Sequence, residues 1–398
     1  MENILDSPYY RLTKRGLQCI GHWPFQSTRE KRSLRCLTFI ITISLLIPKI
    51  IKCIESLDDV DITIECIPII SCYILALIKF FNWIIMEDHV ITRDVRLLMT
   101  IERDWKSLTR QRDIEILHQY SDRGRKYNLA YTTFIYGTLL LYFCSPAVPK
   151  ILDFFNPLNE TRRRVFLFQT EYFIDQDKYY VQILMHAWIT VTVATAYIVF
   201  FDNVFALFVN HACGRLEILR DHLETIHSNE LIENGEKSVD DFVTIKRRIG
   251  VCSDIQTQTF QFIELLTSSY DIALLFVVGI SMALIVFTGV VIVMKMSQPT
   301  EMIRIVGICL DSIFHLFWIS WLGHMLMVQN DRVFNAALSE WYSLSERSQL
   351  MLIPLMMRSS KPVRCQLTAG RIYVMSMQSF GAALKTVASL FTILNSMR

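Results

Sequence analysis

Seven apolar runs, each long enough to cross a bilayer, limit what this chain of 398 residues can fold into. Hydrocarbon about 30 Å thick offers no partner to a backbone N–H or C=O, so a spanning segment must be a helix of about 20 mostly apolar residues. The runs cover residues 34–53, 62–85, 128–148, 181–209, 262–294, 302–328 and 367–398. Pro48 predicts a kink near the end of the first. A chain that is 52% hydrophobic, with runs of this length, does not read as a set of soluble domains.

The polar segments between the runs are not featureless. Residues 86–127 carry Ile91, Val95, Leu98, Ile101, Trp105 and Leu108 at helical spacing, and residues 333–358 carry Phe334, Leu338, Trp341 and Leu344. These are amphipathic helices outside the lipid, and their apolar stripes need a surface to cover them. Residues 210–261 are also charged and mostly helical, with a break near 228–238 that contains Asn234-Gly235. The predicted fold class is therefore an all-α membrane protein of seven transmembrane helices with helical extensions outside the lipid. Residues 1–33 are a cytoplasmic segment and 34–328 a six-helix bundle with its extensions. Residues 329–366 make an anchor helix and 367–398 the last span.

Seven crossings put the termini on opposite sides. The segments on the N-terminal side (1–33, 86–127, 210–261, 329–366) hold 26 Lys and Arg, and those on the other side hold 7. Positive charge accumulates on the cytoplasmic side, so the N-terminus reads as cytoplasmic and the C-terminus as extracellular. The one N-x-S/T sequon, Asn159-Glu160-Thr161, falls in an outer loop, where glycosylation is chemically accessible. Arg162, Arg163 and Arg164 beside it read as a solvated or headgroup-contacting face.

The last run has two unlike faces. Gln378, Ala382, Thr386, Ser389, Ile393 and Met397 follow one another at helical spacing, small and polar first, apolar at the end. Ile372, Phe380, Leu384, Val387 and Leu390 lie opposite. A stripe of small and hydroxyl side chains packs against another helix or faces water, and the residues alone leave both open.

Several function classes find no support. No HExxH, GxSxG, Walker or GxGxxG sequence occurs, so no enzyme is indicated. The ten Cys are scattered, without CxxC pairs or zinc spacing, so neither a metal, a cofactor nor a disulfide framework is expected. A net charge of +2 gives no sign of a nucleic-acid partner. A G-protein-coupled receptor would need the reverse topology, and its marks are missing: no Asp-Arg-Tyr closes the third run and no Asn-Pro-x-x-Tyr lies in the seventh.

The last third carries a resemblance. Glu340-Trp341-Tyr342, Leu350–Met357, Arg358-Ser359-Ser360-Lys361-Pro362, Leu367-Thr368-Ala369-Gly370, Phe380, Leu384-Lys385-Thr386, Ser389 and Phe391-Thr392-Ile393-Leu394 occur in the order and spacing of the insect odorant receptor family. Arg371 departs from that pattern, where an apolar or small residue is usual. The resemblance implies a subunit of a tetrameric, ligand-gated, non-selective cation channel in a sensory-neuron plasma membrane. Its partners would be an odorant co-receptor, a small volatile molecule and membrane lipid.

The same resemblance implies site residues. Ile393 and Met397 match the apolar gate, with Ser396 beside them, and Gln378, Ala382, Thr386 and Ser389 would line the pore below. Ligand would bind in the outer half of the bundle: Ile69, Ile70 and Tyr73 from the second span, Gly137, Thr138 and Leu141 from the third, Met185, Trp188 and Ile189 from the fourth, and Ile308, Ser312 and His315 from the sixth. Trp341 and Tyr342 would be buried in the tetrameric anchor. Asp311 and His315 share a helix face and could pair, face the pocket, or hold an ion in a secondary transporter. Lys385 would edge the pore or reach a carboxylate or water. Asp271 and Asp202-Asn203 read as caps or bridges between helices.

Overall fold

The structure is a computed structural model that describes residues 4–90, 93–148, 166–230, 239–296, 298–339, 341–360 and 365–396. Its helices are α1 (Arg11–Cys19), α2 (Thr28–Glu55), α3 (Val60–Val90), α4 (Arg93–Ser107), α5 (Gln111–Cys144), α6 (Tyr180–Glu230), α7 (Val239–Met294), α8 (Pro299–Leu338), α9 (Glu346–Ser360) and α10 (Met377–Ser396). Strands β1 (Thr368–Ala369) and β2 (Tyr373–Val374) form a small antiparallel hairpin. Among the described residues, α2, α3, α6, α7, α8 and α10 contain stretches long and apolar enough to cross a membrane. The further helix is α5, whose second half, 128–144, carries no charge. Asn159, Arg162–Arg164 and Met397 lie outside the described residues.

Helix length explains where the polar segments go. α6 has 51 residues and α7 has 56. At 1.5 Å per residue these run about 75–85 Å, more than twice the hydrocarbon thickness. The surplus of both, with the first half of α5, the end of α8, α4 and α9, gathers at one end. There Tyr120 of α5 donates to Gln329 of α8 (3.2 Å) and Asp113 of α5 holds His222 of α6 (2.9 Å). Gln256 of α7 donates to the Leu355 carbonyl (3.0 Å) and the Ser359 hydroxyl (2.9 Å) of α9. Of the stripes read from the sequence, Leu98 and Ile101 of α4 and Leu344 are buried here, whereas Leu338 is 43% exposed and Ile91 lies outside the described residues.

Asp104 of α4 meets His211 Nε2 at 3.0 Å and Arg215 Nε at 3.6 Å. Burial works against its charge, but the His211 hydrogen bond and the Arg215 guanidinium outweigh it and hold the carboxyl below its ordinary range.

Within the N-terminal segment Leu5, Tyr10, Leu17 and Trp23 are buried, and a Cβ on Gly16 would lie 2.0 Å from the Phe200 ring. Two boundaries differ from the sequence reading. The 329–366 anchor is not one helix. It is the continuation of α8 to Leu338, a 3-10 turn at Trp341–Ser343, and α9.

The last helix begins at Met377 rather than 367. Gly370 and Arg371 both adopt left-handed backbone, φ 60° and 57°, which turns the chain into the hairpin. The Asp271 carboxylate accepts from Thr368 Oγ1 (2.9 Å) and the Arg371 N–H (3.2 Å), and its carbonyl accepts from the Gly370 N–H (3.0 Å). Such bonds offset the cost of about 1–2 kcal/mol for a left-handed non-glycine residue. Ser376 then caps α10 by accepting from the Ser379 N–H at 3.1 Å. Ile372 sits in the turn, 82% exposed, and is not part of the helix face assigned to it.

Candidate ligand cavity and the last helix

A charged network ties five helices together in the middle of the bundle. The Lys79 ammonium of α3 lies 2.6 Å from Asp202 Oδ1 of α6, and both side chains are buried. Tyr131 of α5 donates to Asp202 Oδ2 at 2.7 Å, and His315 Nε2 of α8 lies 3.0 Å from the same oxygen. His315 Nε2 is also 3.0 Å from Lys79 Nζ, and its Nδ1 is 3.1 Å from Ser281 Oγ of α7. One positive and one negative charge cancel, and the other polar groups occupy their remaining hydrogen-bonding positions. Intramembrane charges are tolerated on such terms and otherwise are costly.

A cavity of about 620 Å³ opens beside the network, on the side away from the polar end. Tyr131, Ser281 and His315 contribute to both. The rest of the wall is mainly apolar: Ile69, Cys72, Tyr73 and Leu75 from α3, Ile135, Leu139 and Leu141 from α5, Val191, Ala194 and Ile198 from α6, and Val306 and Ile308 from α8. Phe168, from the loop before α6, also lines it. That loop is tied down by Lys49, which donates to the Gln169 carbonyl (2.9 Å), and by Arg304, which donates to the Phe166 carbonyl (3.0 Å). Size and lining suit a small apolar molecule held by burial and shape.

Seven of the residues expected at a ligand site line this cavity: Ile69, Tyr73, Thr138, Leu141, Ile308, Ser312 and His315. Five do not. Ile70 packs against the core, and a Cβ on Gly137 would meet nothing within 4 Å. Met185 and Ile189 are about half exposed on the outer surface, and Trp188 packs against Phe143 at 6.0 Å. The cavity-facing residues of α6 are instead Val191, Ala194, Thr195 and Ile198, further along the helix.

Asp311 and His315 do not pair with each other. His315 faces Asp202, whereas Asp311 accepts from Thr138 Oγ1 of α5 at 2.8 and 2.9 Å. Lys79 was not anticipated as a network member. It is the sole basic residue within 62–85, which could have marked it as a buried partner in need of an acid. Asp202 and Asp271 do bridge elements.

On α10, Ala383 and Val387 are buried, and Phe391 meets the bundle at Gly289, where a Cβ would lie 3.1 Å from its ring. Gln378, Ala382, Thr386, Ser389, Ile393 and Ser396 are all exposed, as is Lys385. The hydroxyls on this stripe satisfy themselves within the helix: Thr386 donates to the Ala382 carbonyl (3.1 Å) and Ser389 to that of Lys385 (3.1 Å). Trp341 is half-buried and Tyr342 is 74% exposed in the single chain.

This fold is that of a multi-pass helical membrane protein with an internal cavity. The family model for the 7tm odorant receptor matches residues 61–388. The chain belongs to that family. The structure is similar to that of the insect olfactory receptor OR5 from Machilis hrabei in complex with eugenol, with a TM-score of 0.76 and 13% identity over 98% of this chain and 97% of that one. It is likewise similar to the structure of the same receptor described without eugenol, with a TM-score of 0.73 and 12% identity over 98% and 100% of the two chains. No curated protein matches the chain.

Proposed function

We propose that this receptor is the odorant-tuned subunit of a ligand-gated cation channel. It would sit in a sensory-neuron plasma membrane with its N-terminus cytoplasmic, in a tetramer with an odorant co-receptor. A small volatile molecule occupies the cavity, and α10 contributes to the pore wall. Gln378, Ala382, Thr386 and Ser389 form the wet part, and Ile393 and Met397, beside Ser396, form an apolar ring that closes by dewetting. Trp341 and Tyr342 meet neighbouring subunits in the anchor.

The observation that carries this reading is that α8 touches both sites. Eight of its residues, Ile308, Asp311, Ser312 and His315 among them, line the cavity. Its Phe317 packs on Phe380 of α10. A ligand that favours one placement of α8 therefore biases the last helix, to the extent of its differential affinity for the two states. The exposed polar stripe of α10 supports the same reading, because a stripe of that chemistry suits water or a neighbouring subunit better than lipid. Asp311 and His315 engage separate partners, which gives the transporter alternative no paired ion site.

The test is current recording from cells expressing the chain with and without a co-receptor, together with epitope tags on each end. The reading predicts odorant-evoked cation current and surface staining of the C-terminal tag only. Surface staining of the N-terminal tag alone would sink it.

A further inference from the structure

The cavity has one corner where the hydrogen-bonding inventory does not close. The Asp311 side chain lines it, and among the described residues its hydrogen-bond partner is Thr138 Oγ1, at 2.8 and 2.9 Å from the two carboxylate oxygens. A hydroxyl has a single proton to give. The Thr138 hydroxyl lies equally close, 2.8 Å, to the Ile135 carbonyl of its own helix. Two carboxylate oxygens with about four acceptor positions thus share, at most, one donor.

The fully buried aspartates among the described residues are treated differently. Asp202 has Lys79, Tyr131 and His315, Asp104 has His211 and Arg215, and Asp113 has Arg110 and His222. Each holds a cationic or potentially cationic side chain. Two basic side chains line the cavity, and both are engaged elsewhere. His315 serves Asp202 and Ser281, and Arg304 donates to the Phe166 carbonyl. Arg304 is seven residues from Asp311 on the same helix, about 10 Å along the axis. Asp311 is thus a cavity-lining carboxylate whose acceptor positions are mostly unfilled by the side chains around it.

We infer that the cavity selects small volatile amines, with Asp311 as the counter-ion and hydrogen-bond acceptor of the ammonium group and the apolar wall around the carbon skeleton. The inference rests on the odorant-receptor reading above and names its ligand class. An ammonium supplies both missing items, a positive charge and several N–H donors. An alcohol supplies one neutral donor and an ester none. Only the ammonium neutralises the carboxylate as well as donating to it, and this is the basis of the expected preference for the amine.

The experiment compares phenethylamine, phenethyl alcohol and ethylbenzene, matched in skeleton, as agonists of the chain co-expressed with a co-receptor. The inference predicts half-maximal current at a concentration at least about tenfold lower for the amine than for the alcohol. Asp311→Asn should remove that preference, read as the ratio of the two half-maximal concentrations. An amine no more potent than the alcohol on the unmodified receptor overturns the inference, whatever becomes of the variant. So does a preference that survives Asp311→Asn. Loss of current to every volatile, from a subunit present at the surface, overturns the receptor reading itself.

Discussion

Phe317 of α8 meets Phe380 of α10 edge to face, with ring centroids 5.7 Å apart and planes at 72°. The contact lies near the start of α10, while the cavity residues of α8 lie on the turns before Phe317. It is the place where movement around a ligand would reach the last helix. An aromatic pair of this geometry is worth about 0.5–1.5 kcal/mol beyond its buried area. Phe317→Ala and Phe380→Ala should each raise the odorant concentration for half-maximal current, by roughly threefold to tenfold. In the double variant the effects should be less than additive, as expected of residues in contact. Full additivity in concentration–response curves would show that the pair does not couple the sites.

The Lys79–Asp202 pair should be indispensable as a pair and not as two charges. Removing one partner strands the other in the bundle at a cost of about 3–5 kcal/mol. Lys79→Met alone or Asp202→Leu alone should therefore abolish most surface expression. The double variant should recover a large part of it, since no net charge remains. Surface biotinylation measures this directly.

Gly323 of α8 packs directly against the chain before α10. A Cβ there would lie 2.4 Å from the Met375 carbonyl oxygen, a backbone atom that cannot swing aside. Gly323→Ala should cost about 1–3 kcal/mol through overpacking. The shift should appear as a lower melting temperature of the purified receptor, with altered gating because Met375 immediately precedes the cap of α10. Gly137→Ala, with nothing within 4 Å of the new methyl, is the matched control and should not lower the melting temperature.

Asp104 gives a pH dependence with a definite sign. Its carboxyl is held below the ordinary range in the folded protein. The stabilisation it contributes is therefore present above the unfolded-state value of about 3.9, and is lost as pH falls through the lower folded-state value. Asp104→Asn should lower the melting temperature at neutral pH, by the equivalent of about 1–3 kcal/mol. The gap to the unmodified protein should close in acid. A gap that stays constant down to pH about 3 would mean that the charge contributes nothing.

What the sequence makes legible follows from which signals carry two different environments. Apolar length located the spans, and charge asymmetry gave their expected orientation, because water and hydrocarbon select opposite residues. The extensions at Leu98 and Ile101 were readable for the same reason. Within span 4 the signal fails. Met185 and Ile189 on the outer surface and Val191 and Ile198 on the cavity wall are all apolar, so no periodicity separates them. Long-range partners were equally invisible. Asp311 and His315 share a helix face, but their partners, Thr138 and Asp202, come from helices more than a hundred residues away. The hairpin was hidden because Arg371, which adopts the left-handed turn, is not a residue type that announces one.

The central claim is that the exposed stripe of α10 lines a pore, and cysteine accessibility under voltage clamp tests it most directly. Thr386→Cys and Ser389→Cys lie on the stripe, whereas Val387→Cys lies on the buried face. With a co-receptor present and odorant applied, a positively charged thiosulfonate reagent should block current irreversibly in the first two variants. It should leave Val387→Cys and the unmodified receptor unchanged. Current that persists in both stripe variants, or equal block at Val387, would contradict the assignment of this face to the pore.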